Sequence, residues 1–208
     1  MTALRARLRR EPDRDPARHP LAARTRFRWR RVVARSWLLS RGYYRWRGMR
    51  LIGRPSQQVW YFAYGANMDD RTFCVRRGIT PIERGVGRVK GYRLRFNLEG
   101  RPRGRAAPAN LYPDPAAEVW GVFYRITRRS LMRLDATEGV PGRGYRHAIV
   151  TVEADDGRRL EAVTYIAEGK PDDRKPSLRY IMLLREGAKA HGLPVDYIRF
   201  LESVEPAA

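Results

Sequence analysis

The sequence predicts an α+β fold: a small, mostly antiparallel β-barrel of about six strands with flanking helices, plus a basic N-terminal extension. Three observations lead to this prediction. Hydrophobic residues make up 43% of the 208 residues, which is enough for a packed core. Short apolar and aromatic runs follow one another with brief links, a pattern that favours antiparallel pairing of sequential strands. The Arg-rich start differs in composition from the rest of the chain.

Residues 1–58 are predicted to be this extension, and residues 59–208 the folded domain. The extension holds 17 arginines and three acidic residues, so it carries +14 of the net charge of +21. Its first part is expected to be disordered, and apolar residues at helical spacing predict a basic amphipathic helix over 26–52. Such a helix could contact nucleic acid or an anionic membrane, whereas a tail without its own function is the simpler interpretation.

Composition narrows the class of protein further. The single cysteine, Cys74, excludes a disulfide framework, and three scattered histidines lack metal-ligand spacing, so no metal site is predicted. No apolar run reaches the roughly 18 residues of a membrane span, and the start lacks the apolar stretch of a secretory signal. A cytoplasmic location is therefore expected, with a transit peptide as the minority interpretation.

The first predicted elements are a strand over 59–64, a helix over 69–77 and a long strand over 84–97. Gly65 ends the first strand, since an apolar and aromatic run stops there. Alternating apolar residues mark the long strand, which is expected to bend near Gly91.

Further strands and helices follow in the second half of the chain. Thr127 is expected to cap one helix, Ser177 to begin another, and Asp156-Gly157 to form a hairpin turn. The predicted strands span 109–112, 118–126, 145–153 and 160–166, and the predicted helices span 128–137, 177–191 and 195–204.

The first candidate site is the corner where strand 59–64 passes through Gly65 into a helix. Such a corner leaves backbone N–H groups unpaired at the helix start, where carboxylates bind readily. Gly65 is expected to adopt a positive φ and to let a ligand approach closely. An ordinary strand-to-helix turn has the same pattern, so the residues alone leave both interpretations open.

Glu138 is the second candidate, because an acid at the C-terminal end of a helix opposes the helix dipole and does not stabilise the helix. Flanking apolar residues could desolvate it and suit it to proton transfer. A solvated surface acid is the alternative, and Asp135 competes for any catalytic role. Five tyrosines form a third group, each able to pack a ring and offer a hydroxyl: Tyr61, Tyr64, Tyr145, Tyr165 and Tyr180.

Taken in order, these segments resemble the γ-glutamylcyclotransferase family over nearly all of residues 59–205. The ordered set of motifs is specific where any one motif is weak, and it is closer to the broad-acting branch than to the glutathione-specific or γ-glutamylamine branches. The motifs are YFAYGANM at 61–68, EVWGVFYRI at 118–126, LDATEGV at 134–140 followed by Tyr145, TYIA at 164–167, PSLRY at 176–180 and the closing segment 187–206.

The resemblance implies an enzyme that converts a small γ-glutamyl amide into 5-oxoproline, an acyl transfer within one molecule that needs no cofactor and no metal. It implies that Glu138 is the catalytic acid/base. The residues that would bind substrate are Tyr61, Phe62, Ala63, Tyr64, Gly65, Ala66, Asn67, Tyr165 and Tyr180.

One departure from the family pattern concerns Ala66, which stands where family members usually carry serine. If that serine acts through its backbone N–H, nothing is lost here; if its hydroxyl contacts substrate, affinity or substrate range will differ. Other interpretations stay open: a member of the fold that binds a small ligand without catalysis, and nucleic-acid binding through residues 1–58. The substrate and the formation of a homodimer also stay open; γ-glutamyl amino acids, glutathione and γ-glutamylated biosynthetic intermediates are the candidate substrates.

Overall fold

A computed structural model describes residues 54–99, 107–138 and 145–207. The predicted helix over 26–52 lies outside these residues. The strands are β1 Gln58–Ala63, β2 Glu83–Arg95, β3 Asn110–Thr127, β4 Arg146–Ala154 and β5 Arg159–Ile166. The α-helices are α1 Arg128–Glu138, α2 Leu178–Ala190 and α3 Val195–Ser203.

The strands close into a barrel in the order β1-β3-β2-β4-β5. Strand β3 pairs antiparallel with β1 and β2, and β4 pairs antiparallel with β2 and β5. A parallel contact between β1 and β5, with Tyr61 opposite Val163, completes the closure. The predicted mostly antiparallel barrel with flanking helices is therefore confirmed.

The barrel has five strands in the described residues, not six, because the predicted strands over 109–112 and 118–126 belong to one strand, β3. The interruption suggested by the sequence is a bulge. Between the pairs Lys90–Glu118 and Tyr92–Pro113, one residue of β2 faces four residues of β3. That residue is Gly91, with φ +81°, so the predicted bend at this position is confirmed.

The predicted short helix over 69–77 is present but shorter, and it is not an α-helix. The chain forms a 3-10 turn, Ala66–Met68, and then a π-helix, Arg71–Arg76. Asp69 separates them because its backbone is extended, and its carboxylate accepts a hydrogen bond from the Thr72 N–H at 2.7 Å. The corner therefore presents individual N–H groups and not the aligned dipole of a long helix.

Three local predictions are confirmed. Thr127 caps α1 by accepting a hydrogen bond from the Ser130 N–H at 3.2 Å, and Ser177 caps α2 by accepting one from the Tyr180 N–H at 3.2 Å. Gly157 turns the hairpin between β4 and β5 with φ +86°. The caps set the starts of the two helices and so help to position Glu138 at the end of α1 and Tyr180 in the first turn of α2.

Aromatic side chains dominate the core beside β1 and β3. The Tyr124 ring stacks on Phe73 of the π-helix with centroids 4.2 Å apart, and it lies 6.5 Å from the Tyr61 ring. This packing fastens the irregular segment after β1 onto the barrel. Within the described ranges, no helix has the length and apolar character needed to cross a membrane.

Candidate active site

A cavity of about 100 Å³ lies where the corner after β1 meets the end of α1 and the start of α2. Its walls come from segments that are far apart in the chain, so the tertiary fold assembles it. The lining residues are Tyr61, Tyr64, Gly65, Ala66, Asn67, Arg77, Pro108, Ala109, Glu138, Tyr145, Tyr165 and Tyr180.

Glu138 is the last residue of α1 and forms part of the cavity wall. Its Oε1 accepts a hydrogen bond from Asn67 Nδ2 at 3.2 Å and lies 2.9 Å from Arg77 Nη2. The side chain is only 17% exposed, which disagrees with the alternative of a solvated surface acid. A carboxylate held beside a cavity in this way can exchange protons with a bound molecule.

Asn67 connects Glu138 to the corner. Its Nδ2 also donates to the Tyr61 hydroxyl at 2.7 Å, and the residue is 6% exposed. Its Oδ1 is buried and has no hydrogen-bond partner among the described residues. Because buried acceptors are rarely left unpaired, this oxygen is suited to a donor group on a ligand.

Gly65 does not have the positive φ that we expected; its φ is −125°. Glycine suits this position because of a close approach: a Cβ here would lie 3.0 Å from Tyr180 Oη, and the tyrosine would have to move slightly. The same hydroxyl accepts a hydrogen bond from the Ala109 N–H at 3.1 Å. The corner and the start of α2 thus meet at Tyr180.

The position of Ala66 leads to a prediction about the missing serine hydroxyl. Adding a hydroxyl at Ala66 removes no interaction of the corner, so we expect Ala66→Ser to change kcat/KM by less than about threefold. Steady-state rates with both proteins, followed by the product that the family resemblance implies, measure this. A gain of tenfold or more would show that the hydroxyl contacts substrate.

The tyrosines of the cavity keep their hydroxyl protons at neutral pH. Burial raises the pKa of Tyr61, and the negative charge of Glu138 raises it further. Burial likewise raises the pKa of Tyr64 and Tyr145 well above the ordinary value, and that of Tyr180 to about 12. These side chains therefore act as neutral hydrogen-bonding groups.

Tyr61 and Tyr180 are the tyrosines best placed to donate to a ligand. Each accepts a hydrogen bond, and neither donates one to a protein group in the part of the chain that the structure describes. By contrast, Tyr64 donates to the Tyr165 carbonyl and Tyr145 to the Ala109 carbonyl. The latter two hydroxyls hold the walls together.

Asp135, the competitor of Glu138, lies outside the cavity lining and is 2% exposed. Its Oδ1 accepts a hydrogen bond from the Tyr165 hydroxyl at 2.6 Å and lies 2.6 Å from His147 Nε2. Burial raises the pKa of Tyr165, and the neighbouring Asp135 carboxylate raises it further. Asp135 therefore orients Tyr165, and the geometry favours Glu138 for proton transfer.

The predicted site residues divide into two groups. Phe62 and Ala63 do not line the cavity: both are almost fully buried, and the Phe62 carbonyl accepts a hydrogen bond from the Thr164 hydroxyl at 2.9 Å. They support the corner from behind, and their predicted contact with substrate stays a prediction. The other predicted residues all line the cavity, and their contact with substrate stays a prediction: Tyr61, Tyr64, Gly65, Ala66, Asn67, Glu138, Tyr165 and Tyr180.

Sequence reasoning misses several lining residues, above all Arg77. The sequence places Arg77 in a helix and indicates no role for it, yet its guanidinium meets Glu138, 61 positions further along the chain. Pro108 and Ala109 are also missed, whereas Tyr145 is a candidate tyrosine without a predicted site role. No group of three or more metal-binding side chains occurs among residues 54–99, 107–138 and 145–207.

Comparisons with known proteins agree on one family. A family model described as AIG2-like matches residues 118–201. A protein named gamma-glutamylcyclotransferase from Bos taurus is 31% identical over 162 residues, covering 75% of this chain and 84% of the relative. The protein of the same name from Homo sapiens is 28% identical, again over 75% and 84% of the two chains. A solved structure named gamma-glutamyl cyclotransferase matches with a TM-score of 0.65 and 26% identity, covering 73% of this chain and 90% of that one.

Proposed function

The chain belongs to the γ-glutamylcyclotransferase family and is an enzyme of that family, and we propose that it cyclises a γ-glutamyl amide to 5-oxoproline and releases the free amine or amino acid. The single observation that carries the proposal is Glu138, a partly buried carboxylate in the cavity wall next to the corner after β1. The reaction needs a proton-transfer group at such a position.

The enzyme must first hold the substrate in a conformation that brings its two reacting groups together. The α-amine of the γ-glutamyl group attacks its own γ-carbonyl, so both reacting groups belong to one molecule. Holding the two groups in a reactive conformer lowers the activation barrier, because the entropy cost of bringing them together is met on binding. The small cavity between Tyr61, Asn67 and Tyr180 supports this role, because it restricts a flexible chain on several sides.

Two protons must then move. The α-ammonium loses two protons as it becomes the lactam N–H, and the leaving nitrogen gains two as it departs as an ammonium. A new C–N bond forms between the α-nitrogen and the γ-carbonyl carbon, and the original amide C–N bond breaks. Glu138 accepts each proton from the attacking nitrogen and returns it to the leaving nitrogen, so it ends the cycle unchanged.

Binding groups for the substrate are available around Glu138. The unpaired Asn67 Oδ1 suits the α-ammonium, which donates hydrogen bonds. The Tyr61 and Tyr180 hydroxyls suit the oxygen that becomes negative when the amine attacks. These assignments follow from donor and acceptor character and complete the proposed site.

A substrate panel tests the proposed function. The full chain is incubated with γ-glutamyl dipeptides, glutathione and a γ-glutamylamine, and 5-oxoproline is measured in each. Lactam formation with at least one substrate is expected, at a rate that depends on Glu138. A folded protein that binds a γ-glutamyl compound without releasing 5-oxoproline would support the alternative of a ligand-binding member. A cytoplasmic location stays a prediction, whereas a homodimer and contacts of residues 1–58 with nucleic acid or membranes stay open.

A further inference from the structure

The pairing of Arg77 with Glu138 is the feature that the proposed mechanism does not explain. The two side chains are each 17% exposed, with Nη2 and Oε1 2.9 Å apart. The other end of the guanidinium donates to the Thr137 hydroxyl. Among the described residues that line the cavity, these two carry the only full charges. Arg77 is therefore held against the group proposed as the base.

This pairing opposes the proposed chemistry. Glu138 Oε1 already meets Arg77 Nη2 and Asn67 Nδ2, so a substrate ammonium has to compete with the guanidinium for this oxygen. The substrate ammonium would also bring a second positive charge to the same carboxylate. An anion that takes over Arg77 would leave this oxygen of Glu138 open to the substrate ammonium.

The substrate itself can supply this anion at the right distance. A leaving nitrogen that receives a proton from Glu138 lies about 3 Å from its carboxylate oxygen. In a γ-glutamyl amino acid, the carboxylate carbon lies about 2.5 Å beyond that nitrogen, given ordinary N–Cα and Cα–C bond lengths. Since Nη2 is 2.9 Å from Oε1, this carboxylate comes within reach of the guanidinium.

Exposure in the cavity favours the carboxylate of the leaving group over the α-carboxylate of the glutamyl group. Tyr61 and Tyr64 both contact Tyr165, and these three tyrosines form a buried part of the wall, with exposures of 3 to 5%. Arg77 and Glu138 lie at a more exposed part of the wall. A glutamyl group placed at this buried part would direct the variable leaving group toward Arg77.

We infer that Arg77 is a specificity-determining residue: it exchanges Glu138 for a carboxylate on the leaving group and thereby frees Glu138 to act as the base. The inference rests on the proposed function. Arg77 suits such an exchange because its guanidinium forms charge-assisted hydrogen bonds of the same kind with the Glu138 carboxylate and with a substrate carboxylate. Substrates without this carboxylate leave the Arg77–Glu138 pair intact and react slowly.

The test compares L-γ-glutamyl-L-alanine with L-γ-glutamyl-L-alaninamide, which differ only in the leaving-group carboxylate. The wild-type protein is expected to favour the acid by about 10- to 100-fold in kcat/KM, the range for one charged hydrogen-bonding partner. In Arg77→Gln the rate with the acid falls and the rate with the amide rises, so that the two agree within about threefold. A merely structural role for Arg77 cannot raise the rate with the amide.

Two variants serve as controls. Arg76→Gln removes the same charge from an exposed neighbour that does not line the cavity, and its acid-to-amide ratio should match wild type. Arg77→Lys keeps the charge but loses the planar fork, so it should retain part of the preference. If Arg77→Gln does not fold, the wild-type ratio and Arg77→Lys still decide the question.

The outcomes separate the inference from the function beneath it. Equal wild-type rates with both substrates, or an equal loss with both in Arg77→Gln, would overturn the inference and leave the proposed function standing. If the folded wild-type chain forms 5-oxoproline from neither compound nor from any member of the panel, the proposed function fails and the inference fails with it.

Discussion

Replacing Glu138 with glutamine is expected to lower kcat for 5-oxoproline formation by about 10²–10⁴-fold, the usual contribution of a positioned general acid/base. Glutamine has nearly the same shape and keeps an oxygen that can accept from Asn67 Nδ2 and Arg77 Nη2. It cannot take up a proton from the substrate ammonium. Steady-state kinetics with the most reactive substrate of the panel measure the loss, and KM should change much less than kcat.

The matched control for this variant is Glu161→Gln. Glu161 lies on β5 and is exposed, so the same change of charge there should leave kcat near its wild-type value. Thermal unfolding of both variants shows whether the fold is kept. If folded Glu138→Gln releases 5-oxoproline at a nearly normal rate, the assignment of Glu138 is wrong and the proton-transfer group must lie elsewhere in the cavity wall.

Gly121→Ala is expected to lower the free energy of unfolding by about 3 kcal/mol or more, at the upper end of the range for overpacked cores. A Cβ on Gly121 would lie 2.3 Å from the Ala63 carbonyl oxygen and 2.8 Å from the Phe62 ring. Both neighbours belong to β1, which pairs with β3 and cannot retreat without losing its hydrogen bonds. Denaturant unfolding followed by circular dichroism measures the change.

Gly157→Ala separates this steric effect from the general cost of replacing glycine. Gly157 has a positive φ, but no atom lies within 4 Å of the place that a Cβ would occupy, so we expect a loss of only about 1–2 kcal/mol. A Gly121→Ala protein as stable as wild type would mean that β1 and β3 can separate locally, and the corner after β1 would then be less firmly held than the packing indicates.

Much of the fold follows from local patterns in the sequence. Thr127 and Ser177 are recognisable as caps because a hydroxyl before a helical run satisfies a free N–H, which depends only on neighbouring residues. The predicted division of β3 into two strands is wrong because the outcome depends on a residue of another strand. Pro113 and the polar residues after it indicate a break, but Gly91 on the partner strand turns this break into a bulge.

A residue of the candidate site can be predicted only where the sequence around it indicates a role. Glu138 is recognisable because an acid at the end of a helix lacks a local explanation. Arg77 is not, because nothing near it in the sequence indicates that the turn after the π-helix brings it to the end of α1. The link from Asp135 to His147 is likewise hidden, since it joins a helix to a strand of the barrel.

The cavity draws its walls from both ends of the folded domain, and this has a consequence for how activity arises. Tyr61 belongs to the first strand, while Tyr180 belongs to a helix that follows the last strand, and its hydroxyl meets the backbone beside β3. Contacts between such distant segments carry the entropy cost of closing long loops. A nascent chain that still lacks α2 also lacks Tyr180 in the pocket wall. We therefore expect activity only once the whole domain has folded.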